Sequence, residues 1–332
     1  MRLMILATLL GATAMPALAE EVNLYSHRQP DLLKPLTDAF TEATGITVNT
    51  AFVDKGMVER LKAEGARSPA DLVLTVDIAR LGEVMDAGLL QPVELEALAA
   101  IPDTLRDADG QWFGLTTRAR IVYASKDRVA DGEVTSYEDL ADPKWKGRLC
   151  TRSFTNDYNV ALTAAHLAHH GPEATKAWLE GVKANLTKKP EGGDRDQVKS
   201  IWAGECDISL GNTYYMGQML KDDEQKAWAE SVRIVFPTFE GGGTHVNVSG
   251  MGMTAASPNK EAAQKLMEFL VGDEAQRIYA ETNHEFPVVD GVARSELVQG
   301  WGEFTPDALA LSEIAKLRPD ALTLIEEVDF DG

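Results

Sequence analysis

From residue 22 onward, short apolar runs alternate with segments whose apolar residues recur every three or four positions. Residues 22–25 read as a strand and 32–43 as a helix that Gly45 stops; 46–52 alternate as a second strand. The rhythm continues with a helix over 57–63, a buried strand over 71–75 and a helix over 78–87. Strand and helix in strict alternation predict a parallel sheet covered on both faces. A second block begins near Trp112. Residues 113–123 read as an extended passage between lobes, 159–169, 172–184 and 197–203 as helices, and 207–210 as a strand. Gly241, Gly242 and Gly243 break the chain before a return strand over 246–254, and 260–270, 274–282 and 306–317 carry helical spacing. The predicted class is α/β with two lobes, each a mostly parallel sheet flanked by helices and joined by hinge strands. One lobe takes residues 20–116 and about 244–290; the other takes 117–243 and about 291–332. Ligands of open sheets bind at the carboxyl ends of the strands, so the expected site is the cleft between lobes, closed by hinge motion.

The N-terminus fixes the expected address. Arg2, the apolar run from Leu3 to Leu10 and the small-x-small triplet Ala17-Leu18-Ala19 read as a cleaved secretory signal over residues 1–19. No Cys follows the cleavage site, which argues against a lipoprotein. No later stretch approaches the roughly 18 uninterrupted apolar residues of a membrane span. The 332 residues carry 32 Lys and Arg against 52 Asp and Glu, a formal net charge of −20. No basic stripe interrupts that excess, which excludes nucleic acid and anionic lipid as first partners. Cys150 and Cys206 are the two cysteines, and in an exported protein they are expected to pair.

The candidate chemistry centres on Asn212-Thr213-Tyr214-Tyr215, directly after the strand ending at Leu210. On a regular strand adjacent tyrosines face opposite sides, whereas a turn can aim both into a cleft. Phenolate is a hard anionic donor suited to a hard trivalent cation, and a bound cation favours the deprotonated ligand. Taken alone, the pair more often marks two half-buried aromatics at a sheet edge than a metal site. Tyr158 strengthens the metal reading: it follows Ser153, Asn156 and Asp157 at a helix start, where free backbone donors and an Arg suit a small oxyanion. Arg118 and Arg120 are the candidates for that Arg, with a salt bridge as their alternative use. His166 and His170 stand one helical turn apart, a spacing that can bind zinc. No Glu stands between them in the protease arrangement, and they are expected on the solvent side with His169.

These residues, together with Leu24-Tyr-Ser-His-Arg-Gln-Pro30, residues 68–77, residues 111–120 and residues 189–197, carry a resemblance. Over nearly the whole mature chain the sequence resembles the periplasmic ferric-ion-binding proteins of bacterial ABC iron importers, a two-lobed class of solute-binding protein of type II-like architecture. The resemblance implies that Tyr158, Tyr214 and Tyr215 are ligands to Fe3+ (with Fe2+ as an alternative state), and that Arg118 holds a synergistic anion, usually carbonate. It also implies a membrane permease as partner, a monomer in the periplasm, and no catalytic activity. Many relatives carry a His a few residues after the first strand. Arg28-Gln29-Pro30 offers no strong ligand there, which places the chain with the three-tyrosine branch. Gln29 and Tyr25 are expected to line the cleft or support the ligands. Two rivals stay open: the same fold holding another small solute, such as an organic anion or thiamine, and a secreted zinc hydrolase built on the histidines.

Overall fold

The amphipathic rhythm at the start of the chain folds as its spacing requires. In this computed structural model, which describes residues 20–332, β1 (Glu21–Ser26) leads through α1 (Pro30–Thr44), β2 (Thr47–Phe52) and α2 (Met57–Glu64) to β3 (Leu72–Thr75) and α3 (Ile78–Asp86). The leader assigned to residues 1–19 lies outside the described residues. Leu33, Leu36 and Phe40 form the buried stripe of α1 at helical spacing. Gly45 ends that helix with φ 74°, a left-handed conformation that a Cβ disfavours. β1 lies parallel to both β2 and β3, as helical crossovers allow.

β4 (Leu90–Gln91) precedes the long β5 (Phe113–Ser125), and β6 (Leu149–Cys150), α4 (Asp157–Ala184), α5 (Asp194–Trp202), β7 (Ile208–Asn212) and α6 (Tyr214–Leu220) follow. α7 (Lys226–Glu230) and β8 (Val232–Val235) lead to the return strand β9 (Val246–Thr254). The chain finishes with α8 (Lys260–Val271), α9 (Asp273–Ile278), β10 (Phe286–Pro287), α10 (Glu296–Gln299) and α11 (Leu311–Glu327). The strand order is β2-β1-β3-β9-β5-β7-β6. β5 changes partners along its length: Phe113–Ala119 pairs with β9, and Arg120–Ala124 pairs with β7. The sheet is therefore mixed. It is parallel where helices cross over, and antiparallel where β5 goes out and β9 comes back.

Two expectations need correction. The spacing predicts the last helix over 306–317, but it begins after Ala310 and runs to Glu327. Thr244 N–H donates to the Thr305 carbonyl at 2.9 Å and Asp307 N–H to the Thr244 carbonyl at 2.8 Å, which keeps 305–307 extended. Ala321 and Ile325 then prolong the buried face against α4 and α3. The histidines of α4 are not on a solvent face either. The helix is buried without interruption from Asn159 to Leu167, His166 stacks on Trp178 with ring centroids 4.5 Å apart, and His169 and His170 face Asp307 and Glu138. Cys150 and Cys206, which flank the adjacent strands β6 and β7, form a disulfide.

His245, just before β9, is buried, with its backbone N–H donating to the Tyr137 hydroxyl at 3.0 Å. Burial holds its pKa down to about 3; Asp307 opposes the shift, while Arg120, Arg118 and His169 add to it. In the unfolded chain the group returns to about 6.5, so between these values the unfolded state binds more protons and stability falls as pH falls. The expected result is a urea midpoint that drops from pH 7 to pH 4.5, with a smaller drop in His245→Gln. Equal drops in both proteins contradict this assignment.

Candidate metal centre

β7 ends at Asn212 and α6 starts at Tyr214, so Tyr214 and Tyr215 occupy the first turn of a helix. Successive helical side chains diverge by roughly 100°, which lets both phenols reach one cavity where a strand would send them to opposite faces. Their ring centroids lie 4.3 Å apart at 40°. Gly217, one turn along, lets α6 approach the chain at His284: a Cβ there would lie 2.1 Å from the His284 ring. Tyr158 enters from the first turn of α4, whose N-cap Asn156 accepts the Tyr158 N–H through Oδ1 at 3.2 Å. The Tyr214 and Tyr158 hydroxyl oxygens stand 3.4 Å apart. The three half-buried tyrosines line a cavity of about 390 Å³ with Arg118, Arg152 and Gln29.

Burial pushes the Tyr214 phenol well above its usual value, and the neighbouring phenols Tyr158 and Tyr215 add to the rise while Arg118 opposes it. Tyr215 is raised by burial first, then by Tyr158 and Asp194. Phenols held neutral in this way ionise for a strong positive charge placed between them. The cluster is thus a latent set of hard anionic donors.

The arginines divide by role. Arg118 faces the cavity with its guanidinium 5.9 Å from the Tyr158 ring centroid, and its Nη2 has no hydrogen-bond partner among the described residues. Arg120 lies behind the tyrosines. It donates to Asp194 at 2.6 Å, Asn159 at 2.7 Å and Asn212 at 3.1 Å, tying β5 to α5 and to the two segments that carry the phenols. Gln29 is exposed at the cavity rim. Tyr25 is not brought to the cavity: its hydroxyl donates to Glu64 and accepts from Arg60, both at 2.8 Å.

Sequence reasoning missed Arg152, Asp194 and Arg80. Arg152 lines the cavity with its guanidinium 5.5 Å from the Tyr158 ring centroid and reaches Asp194 at 3.4 Å. The signal available was its place in the polar loop before Tyr158. Arg80 of α3 bonds Asp157 at 2.7 Å, and Arg318 of α11 bonds the other carboxylate oxygen. Burial alone would raise the Asp157 carboxyl, but Arg318 and Arg80 outweigh it and hold it below the usual carboxylate range. This pairing connects α3 to the start of the helix that bears Tyr158.

Residues 36–306 match the bacterial extracellular solute-binding proteins. The chain belongs to this family. Iron uptake protein A1 of Synechocystis sp. is 44% identical to this solute-binding protein over 320 residues, 95% of this chain and 89% of the relative. Among solved structures, apo ferric ion-binding protein A of Pasteurella haemolytica superposes with a TM-score of 0.91 at 53% identity, covering 95% of this chain and 99% of that one. A Trichodesmium protein (IdiA, FutA) in complex with iron and citrate ligands superposes at 0.88 with 42% identity, covering 93% and 99%. These likenesses make the chain a binding protein rather than an enzyme and set aside the secreted hydrolase. Among the described residues no helix is long and apolar enough to cross a membrane.

Proposed function

We propose that this solute-binding protein captures Fe3+ in the periplasm and delivers it to the membrane permease of an ABC importer. The convergence of the Tyr158, Tyr214 and Tyr215 phenols on one cavity carries the reading. Three phenolates balance the charge of a ferric ion, and their hard oxygens select it over softer cations. Carbonate or water completes the coordination. Arg118 and Arg152 hold the anion, and Arg120 positions the tyrosine-bearing segments from behind. Fe2+, with one positive charge fewer, leaves the same donor set over-anionic and binds more weakly. The lobes, residues 20–116 with about 244–290 and 117–243 with about 291–332, close around the ion as a monomer. Closure removes water and strengthens each metal–oxygen contact. The iron-related names of the Synechocystis, Pasteurella and Trichodesmium relatives support this cargo over another small solute.

The test is retention. Chain lacking residues 1–19, mixed with ferric citrate in bicarbonate buffer and desalted, is expected to keep one iron per molecule. Iron at the level of an unrelated acidic protein would contradict the proposal.

A further inference from the structure

A second group of metal-type donors stands outside the tyrosine cavity. Glu138 opens the short helix Glu138–Ala141, which packs on α4, where His166 and His170 lie one turn apart. One ligand atom from each of the three residues lies within 4.8 Å of the other two. His166 is 2% exposed, and its Nδ1 sits 2.9 Å from the Thr175 hydroxyl. With the Nδ1 proton donated to Thr175, Nε2 carries a lone pair, and it has no partner among the described residues. The same holds for Oε2 of Glu138, while Oε1 receives the Glu240 N–H at 3.3 Å and faces His170 Nε2 at 2.7 Å. An unpartnered buried imidazole nitrogen costs free energy unless something fills the place of the missing partner.

We propose that Glu138, His166 and His170 form a second metal site, for a borderline divalent cation such as Zn2+. Two imidazoles and one carboxylate are the donor set of three-ligand zinc sites that leave a position to water. They differ in kind from the hard phenolates of the cavity, so the two sites discriminate between metals by ligand chemistry. Thr175 holds the His166 Nδ1 in a hydrogen bond and Trp178 holds its ring plane, the kind of outer-shell support that metal-binding histidines have. A tetrahedral ion with bonds near 2.1 Å needs donor atoms about 3.4 Å apart. Glu138 and His170, each about one-fifth exposed, sit at the edge of the protein where their side chains can turn to meet that distance. The ion pins the 138–141 segment to α4.

The experiment is calorimetric titration of ZnCl2 into the chain lacking residues 1–19, in four versions: wild type, Tyr214→Phe, Glu138→Gln and His170→Asn. The expected result is one equivalent of zinc in wild type and in Tyr214→Phe, with affinity at least tenfold lower in both Glu138→Gln and His170→Asn. Those two variants should keep native circular dichroism and normal ferric binding, since neither residue touches the tyrosine cavity. No zinc uptake by wild type overturns the proposal. So does zinc uptake unchanged in Glu138→Gln or His170→Asn, or uptake lost in Tyr214→Phe, which would assign the zinc to the cavity. Each result stands apart from the ferric reading, which zinc titration of the wild type does not test.

Discussion

Tyr214→Phe and Tyr215→Phe are each expected to lower ferric affinity by at least about 100-fold, since removing even an outer-shell partner of a metal ligand costs 10–100-fold and these residues would be ligands themselves. Folding should be unaffected. The phenylalanine ring keeps the packing of the tyrosine pair, whose centroids stand 4.3 Å apart. The hydroxyl removed from Tyr214 gives up a long 3.4 Å contact to Tyr158 and its hydrogen bond to Tyr215. Because burial already holds these phenols neutral, no buried charge is stranded by the change. Competition against citrate measures the affinity, and thermal unfolding of the iron-free proteins measures the fold. Affinity within threefold of wild type in both variants would remove the tyrosines from the site.

Asp194→Ala is expected to destabilise the iron-free protein by about 3–5 kcal/mol, the usual consequence of stranding one half of a buried ion pair. Asp194 is 1% exposed and Arg120 2% exposed, and their charges meet at 2.6 Å. The same carboxylate accepts the Asn212 N–H at 3.0 Å, at the strand end that launches Tyr214 and Tyr215. Its loss therefore acts on stability and on the site together. Arg120→Met combined with Asp194→Leu should recover part of the stability, because the fully buried guanidinium no longer stands unpaired, while Arg152 and the Asn212 N–H still lose the carboxylate. Urea unfolding decides the matter: a loss below about 1 kcal/mol in Asp194→Ala would show that the pair contributes little.

Local patterning made most of the elements legible. α1 could be read from Leu33, Leu36, Phe40 and the stop at Gly45, and the return strand 246–254 from its apolar run after three glycines, because each signal lies within the element itself. What escaped depended on distant partners. Residues 305–307 carry no local mark of pairing with Thr244, so local spacing alone starts the last helix five residues early. The burial of His166 depends on what covers α4, and Glu138 lies too far along the chain to enter a histidine motif. Arg118 and Arg120 share one face of β5 in any sequence reading. The strand changes partner between them, from β9 to β7, so one reaches the cavity and the other is spent on Asp194. Tyr25 reads as well as any cleft residue until Arg60 and Glu64 are seen to hold its hydroxyl. The three cavity tyrosines were legible through adjacency and resemblance. Their shared cavity is a tertiary fact, made by a helix start at Tyr214 that the strand reading left open.

The most direct measurement is the visible absorption of the purified chain lacking residues 1–19 as ferric citrate is added in bicarbonate buffer. Phenolate oxygen bound to Fe3+ should give a broad charge-transfer band that grows linearly and stops at one equivalent, weakened in Tyr214→Phe and in Tyr215→Phe. A titration in which iron binds without that band, or in which the band survives both substitutions unchanged, would contradict capture by the three tyrosines.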